Sequence, residues 1–366
     1  MTVKITFDAR WIRGGIGTYI CNLLAGICQA GKGWDVLAIT RREYLPLVQQ
    51  LCPRVRVIDV PIYTLSEQFQ IARAARGSEL LHVPHYNAPL LYHGPLLVSI
   101  HDLIHLMDPF YEGSLKSWVY ARPMLKMIAF KAAHIVTVSE YSRKAIIDRL
   151  GVSPAKVTVI YNGVNSQFGP MDRREAMRSL QQNLDLHSPY FLYVGSLKLY
   201  KNVVTLLKAF AAIRARHGIE QLLVIVGDDA HGKAILAAES RRLGLDPFVR
   251  FLPYAPQQLL RQLYSAADCF VLPSKLEGFG LPVLEAMACG APVISSNAAS
   301  LPEVGGDAVL YFDPSNYEEL AEKMMEVLCS TELQGRLRTT GLARAKLFTW
   351  EKSTEKHLEL YNRLTE

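Results

Sequence analysis

Between positions 277 and 285 the chain reads Glu-Gly-Phe-Gly-Leu-Pro-Val-Leu-Glu, two carboxylates with seven residues between them around a glycine-rich stretch. Gly278 and Gly280 let the backbone approach an anion closely, and the amides of Phe279, Gly280 and Leu281 are the ones so placed. A strand-like segment, 269–272, precedes the run, which makes it a strand-to-helix turn. Glu285 then stands about one and a half turns into the helix, too deep to cap it. One acid at the turn and one on the helix can grip two separate hydroxyl-bearing parts of a ligand, with phosphate held between them. That is the chemistry of a sugar-nucleotide clamp. An ordinary amphipathic helix with solvated glutamates fits the local pattern equally well.

Three further groups would complete such a site. Gly14-Gly15-Ile16-Gly17 follows the first predicted strand and opens a helix, where free amides can face an anion; a plain helix-entry loop has the same form. His101 ends another predicted strand, either as a group in a cleft or as a hydrogen-bonded histidine that closes the strand. Lys201 follows Val194-Gly195-Ser196 and directly precedes Asn202, as a fixed cation for a leaving diphosphate or as an exposed amine at a helix start. The chain contains no Asp-x-Asp, the close pair of acids typical of a metal-dependent transfer. Asp228-Asp229 are adjacent and follow a strand, which reads as a solvated strand-end turn. Neither a metal nor a cofactor is expected.

Residues so far apart need a scaffold that gathers loops at one edge. Short β-branched runs alternate with longer amphipathic segments, the pattern of parallel α/β units. Strands are predicted over 3–7, 35–40, 55–60, 80–83, 96–100, 134–138 and 157–160, and helices over 17–30, 66–76, 116–131 and 140–150. The run 162–189, with Gly169-Pro170 and Ser188-Pro189, breaks the pattern and reads as a linker. A second series predicts strands over 191–194, 222–226, 249–252, 269–272 and 292–295, then helices over 317–328, 332–346 and 350–364. The expected fold class is α/β, with two doubly wound domains, 1–168 and 169–349. Ligands in such sheets bind beyond the carboxyl ends of the strands, and two facing domains would make a cleft.

The bulk composition agrees. At 366 residues the chain is longer than one core usually grows, and 50% hydrophobic with 20% charged residues describes a packed globular enzyme. No apolar stretch approaches the ~18 residues that span a bilayer, and Met1-Thr2-Val3-Lys4-Ile5 runs straight into a strand, so a cytoplasmic location is expected. Cys21, Cys28, Cys52, Cys269, Cys289 and Cys329 are scattered without metal-type spacing and read mostly as buried free thiols. The net charge of +6 implies an anionic ligand or surface. Lys and Arg nowhere interleave with aromatics as a nucleic-acid groove requires, so no nucleic-acid partner is expected.

Several motifs in order point one way: Asp8-Ala9-Arg10, then Gly14-Gly15-Ile16-Gly17-Thr18-Tyr19, His101-Asp102-Leu103, Ser139-Glu140-Tyr141-Ser142, Asn162-Gly163-Val164, Val194-Gly195 with Lys201-Asn202, and the double-glutamate run. Over essentially its whole length the chain resembles the retaining GT-B glycosyltransferases of the "glycosyl transferases group 1" superfamily, especially bacterial mannosyltransferases of surface-polysaccharide assembly. The resemblance implies two Rossmann-like domains facing each other across a cleft, with 1–168 on the acceptor side, 169–349 holding a nucleotide-sugar donor, and the helix 350–366 returning to the first domain. It gives Glu277 to the donor sugar's hydroxyls, Glu285 to the nucleotide ribose, the amides of Phe279, Gly280 and Leu281 to the sugar and diphosphate, and Lys201 to the diphosphate charge. It also implies that Gly14 and Gly15 close over the phosphates and that His101 approaches the reacting carbon.

The resemblance departs at one place. Many relatives carry an arginine after the glycine or just before the lysine, where this chain has Ser196 and Tyr200; Lys198 is a candidate substitute, but as a point charge it cannot reproduce a bidentate fork. Other functions fare differently. A nicotinamide dehydrogenase fails because Ile20 stands where a third glycine belongs and Arg41-Arg42 ends the second strand where an acid belongs. A GT-B epimerase or phosphorylase, and a non-catalytic nucleotide-sugar-binding module, share the site residues and stay open. The expected partners are a GDP- or UDP-linked sugar and a saccharide or lipid-linked acceptor. The segment 114–131 places Lys116, Arg122, Lys126 and Lys131 among Trp118, Tyr120 and Phe130, which suits an anionic membrane surface and equally a core-packed helix with solvated lysines.

Overall fold

The computed structural model describes residues 2–31, 33–61, 64–107 and 115–366, without the side chains of 105, 107 and 115–122. It divides into two compact units, Met1–Gly163 with Thr349–Glu366 (unit 1) and Val164–Phe348 (unit 2). Unit 1 is built on β1 (Val3–Asp8), β2 (Trp34–Thr40), β3 (Val55–Val57), β4 (Leu80–Val83), β5 (Leu96–Ser99), β6 (His134–Thr137) and β7 (Val157–Val159). They form one sheet in the order β3-β2-β1-β4-β5-β6-β7, every pair parallel. Unit 2 repeats the plan with β8 (Tyr190–Val194), β9 (Leu222–Val226), β10 (Val249–Leu252), β11 (Cys269–Leu272), β12 (Val293–Ser296) and β13 (Leu310–Phe312), ordered β10-β9-β8-β11-β12-β13 and again all parallel.

Both are Rossmann-like sheets, as the α/β pattern predicted. Helices cover both faces of the central strands, so these strands read as continuous apolar runs. Every residue of β4, β5, β6, β8, β11 and β12 is buried, whereas the edge strands β3, β7, β10 and β13 each keep a partly exposed residue. The strand order reverses between β1 and β4 and again between β8 and β11, which fixes where a ligand meets each sheet.

Three departures from the sequence reading concern the sheet edges and the expected linker. β13 was not foreseen, because three residues at a sheet edge carry too little periodicity to register. β3 stops at Val57, short of the expected 60. Within the expected linker lies a helix, Arg173–Leu184, capped by Asp172, whose Oδ1 accepts from Glu175 N at 2.9 Å. Its buried stripe is thin: only Ala176 and Leu180 are buried, the helix packs on the helix Gln257–Ala266, and most of its other residues are polar.

In unit 1 the C-terminal helix Trp350–Thr365 packs on the helix Gly14–Gln29. Gly26 makes the close approach possible, since a Cβ there would collide with Thr354 Oγ1. A buried hydrogen-bond chain fastens the contact. His357 Nδ1 donates to Ser353 O (2.7 Å), so its Nε2 accepts from Tyr19 OH (2.8 Å). Tyr19 in turn accepts from Ser99 Oγ (2.9 Å), Ser99 from His82 Nε2 (2.8 Å), and His82 Nδ1 from Tyr361 OH (2.6 Å). Each group in the chain is neutral, which burial enforces: it holds His82 well below its ordinary pKa and His357 at about 4.

Among the described residues no helix is long and apolar enough to cross a membrane, and the six cysteines are free: Cys52, Cys269 and Cys289 are buried as expected, Cys21 and Cys28 only partly, and Cys329 is exposed.

Candidate functional site

In unit 2 the two strands flanking the reversal of order, β8 and β11, send loops to the same edge. The β8 loop passes through Gly195 and Ser196 and ends in a short 3-10 turn, Leu199–Lys201; the β11 loop carries Pro273, Ser274 and Glu277. The loops are tied together. Lys275 N donates to Tyr200 O at 2.8 Å, and Asn202, held at φ +59°, donates from Nδ2 to Pro273 O at 3.0 Å and to Pro314 O at 2.8 Å. The result is an ion pair, Lys201 Nζ to Glu277 Oε1 at 2.6 Å, with both side chains mostly buried. Ser274 Oγ also donates to Glu277 Oε1 (2.9 Å), and Ser300 Oγ holds the Glu277 carbonyl at 3.0 Å. An ammonium has three donors, so Lys201 can keep Glu277 and still present N–H groups to an anion.

The turn after Glu277 depends on Gly280, at φ +101°, where a Cβ would stand 2.7 Å from Leu301 Cδ2. No residue but glycine meets both conditions without strain. The helix Leu281–Ala288 begins at the next residue, so the amides of Gly280 and Leu281 lie at a positive helix end. Phe279 contributes only backbone, because its ring is buried edge-on against Phe348 with centroids 5.9 Å apart. Glu285 sits one turn into that helix, half-buried, and accepts from Tyr264 OH at 3.0 Å through Oε2. Burial raises its carboxyl to about 7, against the opposing effect of the Tyr264 hydrogen bond. Ser196 offers no side-chain charge, and its carbonyl accepts from Tyr193 OH at 2.6 Å.

Gly14, Gly15 and His101 belong to unit 1. The helix Gly14–Gln29 starts at Gly14 itself, three residues earlier than predicted, at φ +54°; it has neither a side-chain cap nor an acid in its first turn to offset its positive end. Gly15 is exposed. His101 follows β5, with its ring edge-on to Tyr19 (4.7 Å) and its Nε2 donating to Pro84 O at 3.1 Å. A carbonyl can only accept, so the neutral ring carries its proton on Nε2 and its lone pair on Nδ1; burial lowers its pKa and favours that neutral form.

In the helix Leu115–Lys131, Met124, Leu125, Ile128 and Ala129 are buried, while Lys126, Met127 and Phe130 face outward. Ser114 and the side chains of Lys116, Trp118, Tyr120 and Arg122 lie outside the described residues. Asp229 accepts from Gly232 N at 3.1 Å as the cap of the helix Ala230–Arg242, a role the solvated-turn reading missed. Among the described residues no group of three or more His, Cys, Asp or Glu stands close enough to hold a metal ion.

Two family descriptions match the sequence, Glycosyl transferases group 1 over residues 175–344 and Glycosyltransferase Family 4 over residues 13–168. O-antigen chain mannosyltransferase B of Escherichia coli is 32% identical over 283 residues, which cover 75% of this chain and 74% of that protein. This chain belongs to the glycosyl transferases group 1 family. Another relative of this group 1 glycosyltransferase is D-inositol 3-phosphate glycosyltransferase of Actinosynnema mirum, 26% identical over 95% of this chain and 92% of its own length. Among solved structures, HepE of Anabaena in complex with UDP and glucose is similar at a TM-score of 0.82, with 20% identity over 99% of this chain and 100% of that one. At that identity the likeness shows the shared GT-B fold. Sequence reasoning about this group 1 glycosyltransferase missed Ser274, Ser300 and Tyr264, single polar residues whose only signal is the tertiary contact with Glu277 or Glu285.

Proposed function

We propose that this glycosyltransferase moves a hexose, mannose by preference, from a nucleotide-diphosphate donor to a saccharide or lipid-linked acceptor, with retention of anomeric configuration and without a divalent metal. The observation that carries the reading is the Lys201–Glu277 pair at the carboxyl ends of β8 and β11, beside the positive end of the helix Leu281–Ala288. As the bond from the anomeric carbon to the diphosphate breaks, charge develops on the leaving oxygen. Fixed donors aimed at that charge supply most of the needed stabilisation, and Lys201 with the amides of Gly280 and Leu281 are such donors. They do what a bound cation would otherwise do.

Glu277, kept in place by Ser274 and Lys201, is the acceptor for hydroxyls of the donor sugar, and Glu285 the acceptor for the nucleotide ribose. With both carboxylates so engaged, neither is a nucleophile beneath the anomeric carbon. The acceptor's oxygen then bonds to that carbon on the face the diphosphate leaves, and its proton passes to the departing phosphate oxygen. His101 is assigned to the donor sugar near the reacting carbon, and Gly14 and Gly15 to the phosphates, roles carried by the family resemblance. The mannosyltransferase among the relatives supports mannose and the UDP complex of HepE supports a nucleotide donor. A cytoplasmic location, at the inner face of the membrane, suits a lipid-linked acceptor, and the outward Phe130 beside Lys126 supports such contact. Transfer assayed across a panel of GDP- and UDP-linked sugars tests the reading: turnover should be greatest with GDP-mannose, and turnover with no nucleotide sugar would overturn it.

A further inference from the structure

The carboxyl ends of β1 and β4, where the strand order of unit 1 reverses, border a small solvent-open pocket lined by Asp8, Arg10, Trp11, Glu67, His85 and Asn87. Nothing in the donor site uses it. Arg10 donates from Nε and Nη2 to the two oxygens of Asp8, each at 2.8 Å, and from Nη2 to Glu67 Oε1 at 2.7 Å. Asn87 Nδ2 donates to Glu67 Oε2 at 2.8 Å. Among the described residues two polar atoms of this otherwise paired cluster have no partner, Arg10 Nη1 and Asn87 Oδ1, although their residues are only 4% and 3% exposed. Buried polar atoms are rarely left so, and each orphan marks a place for a ligand or a water.

The chemistry of the two orphans selects the ligand. One is a donor and the other an acceptor, and both belong to side chains that clasp the same Glu67 carboxylate. A metal ion would meet Arg10 as a like charge. An anion such as phosphate would meet two carboxylates against one guanidinium. A neutral hydroxyl accepts from Nη1 and donates to Oδ1 at once. Beside them Trp11, half-buried, stacks on His85 with centroids 5.0 Å apart and planes 21° apart, and His85 is held by Asn87 N, which donates to its Nδ1 at 3.2 Å. A rigid aromatic face next to a hydroxyl-binding pair is suited to the C–H face of a sugar ring.

We propose that this pocket is a second ligand subsite that holds a hydroxyl of a neutral saccharide between Arg10 Nη1 and Asn87 Oδ1, with Trp11 packed on the sugar ring. The proposal rests on the transferase reading for one point, that the saccharide is the acceptor. Binding of methyl α-D-mannopyranoside to the full chain, followed by saturation-transfer NMR and titration, tests it. The wild type should bind the glycoside. Asn87→Ala and Trp11→Ala, checked for an intact fold by circular dichroism, should each weaken binding about fivefold or more, the loss of one hydrogen bond or ring contact. Inorganic phosphate should not displace the glycoside. No binding by the wild type, equal binding by both folded variants, or displacement by phosphate would overturn the subsite, the first of these meaning that water alone occupies it. Binding that depends on Asn87 and Trp11 supports the subsite even if no donor is turned over, a result that would tell against the transferase reading alone.

Discussion

Lys201 and Glu277 are separated by 76 positions in the chain, yet their side chains meet at 2.6 Å because β8 and β11 are neighbours in the sheet. Removing one partner leaves the other charge buried without compensation. Lys201→Met is expected to cost about 3 kcal/mol of stability, and to lower turnover on the order of a hundredfold through loss of the leaving-group donor. In the double variant with Glu277→Gln, urea unfolding should recover part of the stability while initial rates stay low. A double variant no more stable than Lys201→Met would show that the pair is not energetically coupled.

In the proposed function the two glutamates divide the donor between them. Calorimetry with free GDP and UDP should show the affinity reduced mainly by Glu285→Ala, whereas Glu277→Ala should leave it near wild type and impair transfer. Equal losses in the two variants would remove the division of labour.

Glu285 titrates at about 7, raised by burial. A carboxyl whose folded pKa is raised contributes stability below its unfolded value near 4.5, and loses that contribution as pH rises through about 7. Nucleotide binding, with Glu285 on the ribose as proposed, runs the other way, because the ionised form is the better acceptor for hydroxyls. Nucleoside diphosphate affinity should therefore rise between about pH 6 and 8 with release of a proton, detectable by titration in buffers of different ionisation enthalpy. A Glu285→Gln variant that kept the same proton release would refute this.

The histidines behind the C-terminal helix give a second pH dependence. Burial depresses both His82 and His357, the latter to about 4 from an ordinary 6.5. The unfolded chain then binds more protons than the folded one in that interval, so stability is intact above about 6.5 and declines as pH falls toward 4. His357→Gln should flatten the slope, and Tyr361→Phe, which leaves His82 Nδ1 without its donor, should cost about 2 kcal/mol at neutral pH. Denaturant unfolding across pH 4 to 7 checks both, and an unchanged slope in His357→Gln would contradict the chain of neutral groups.

What the sequence made legible follows from the range of each interaction. The sheets could be read because buried parallel strands are apolar throughout, and the turn from Glu277 to Glu285 because its glycines, proline and acids are consecutive. The clasp on Glu277 could not be read, since Ser274 and Ser300 are ordinary loop serines until the β11 and β12 loops meet. Asp8 and Arg10 stood out as a motif, but Glu67 and Asn87, which complete their cluster, come from a helix and a loop more than fifty positions away. Nothing local in the sequence ties His82 to His357, and only the docking of the last helix brings both into one hydrogen-bonded chain. The helix Arg173–Leu184 escaped notice because the segment is polar overall, with only Ala176 and Leu180 buried, and lies between Gly169-Pro170 and Ser188-Pro189.

Retention without a metal is the claim on which the proposed chemistry turns, and one reaction tests it. GDP-α-mannose and a mannoside acceptor, incubated with the enzyme in excess EDTA, should yield a transfer product whose anomeric proton and carbon resonances are those of an α-linkage, and His101→Ala should slow its formation without abolishing GDP binding. A β-linked product, or activity lost on chelation and restored by magnesium or manganese, would contradict the account and return His101 to consideration as a general base.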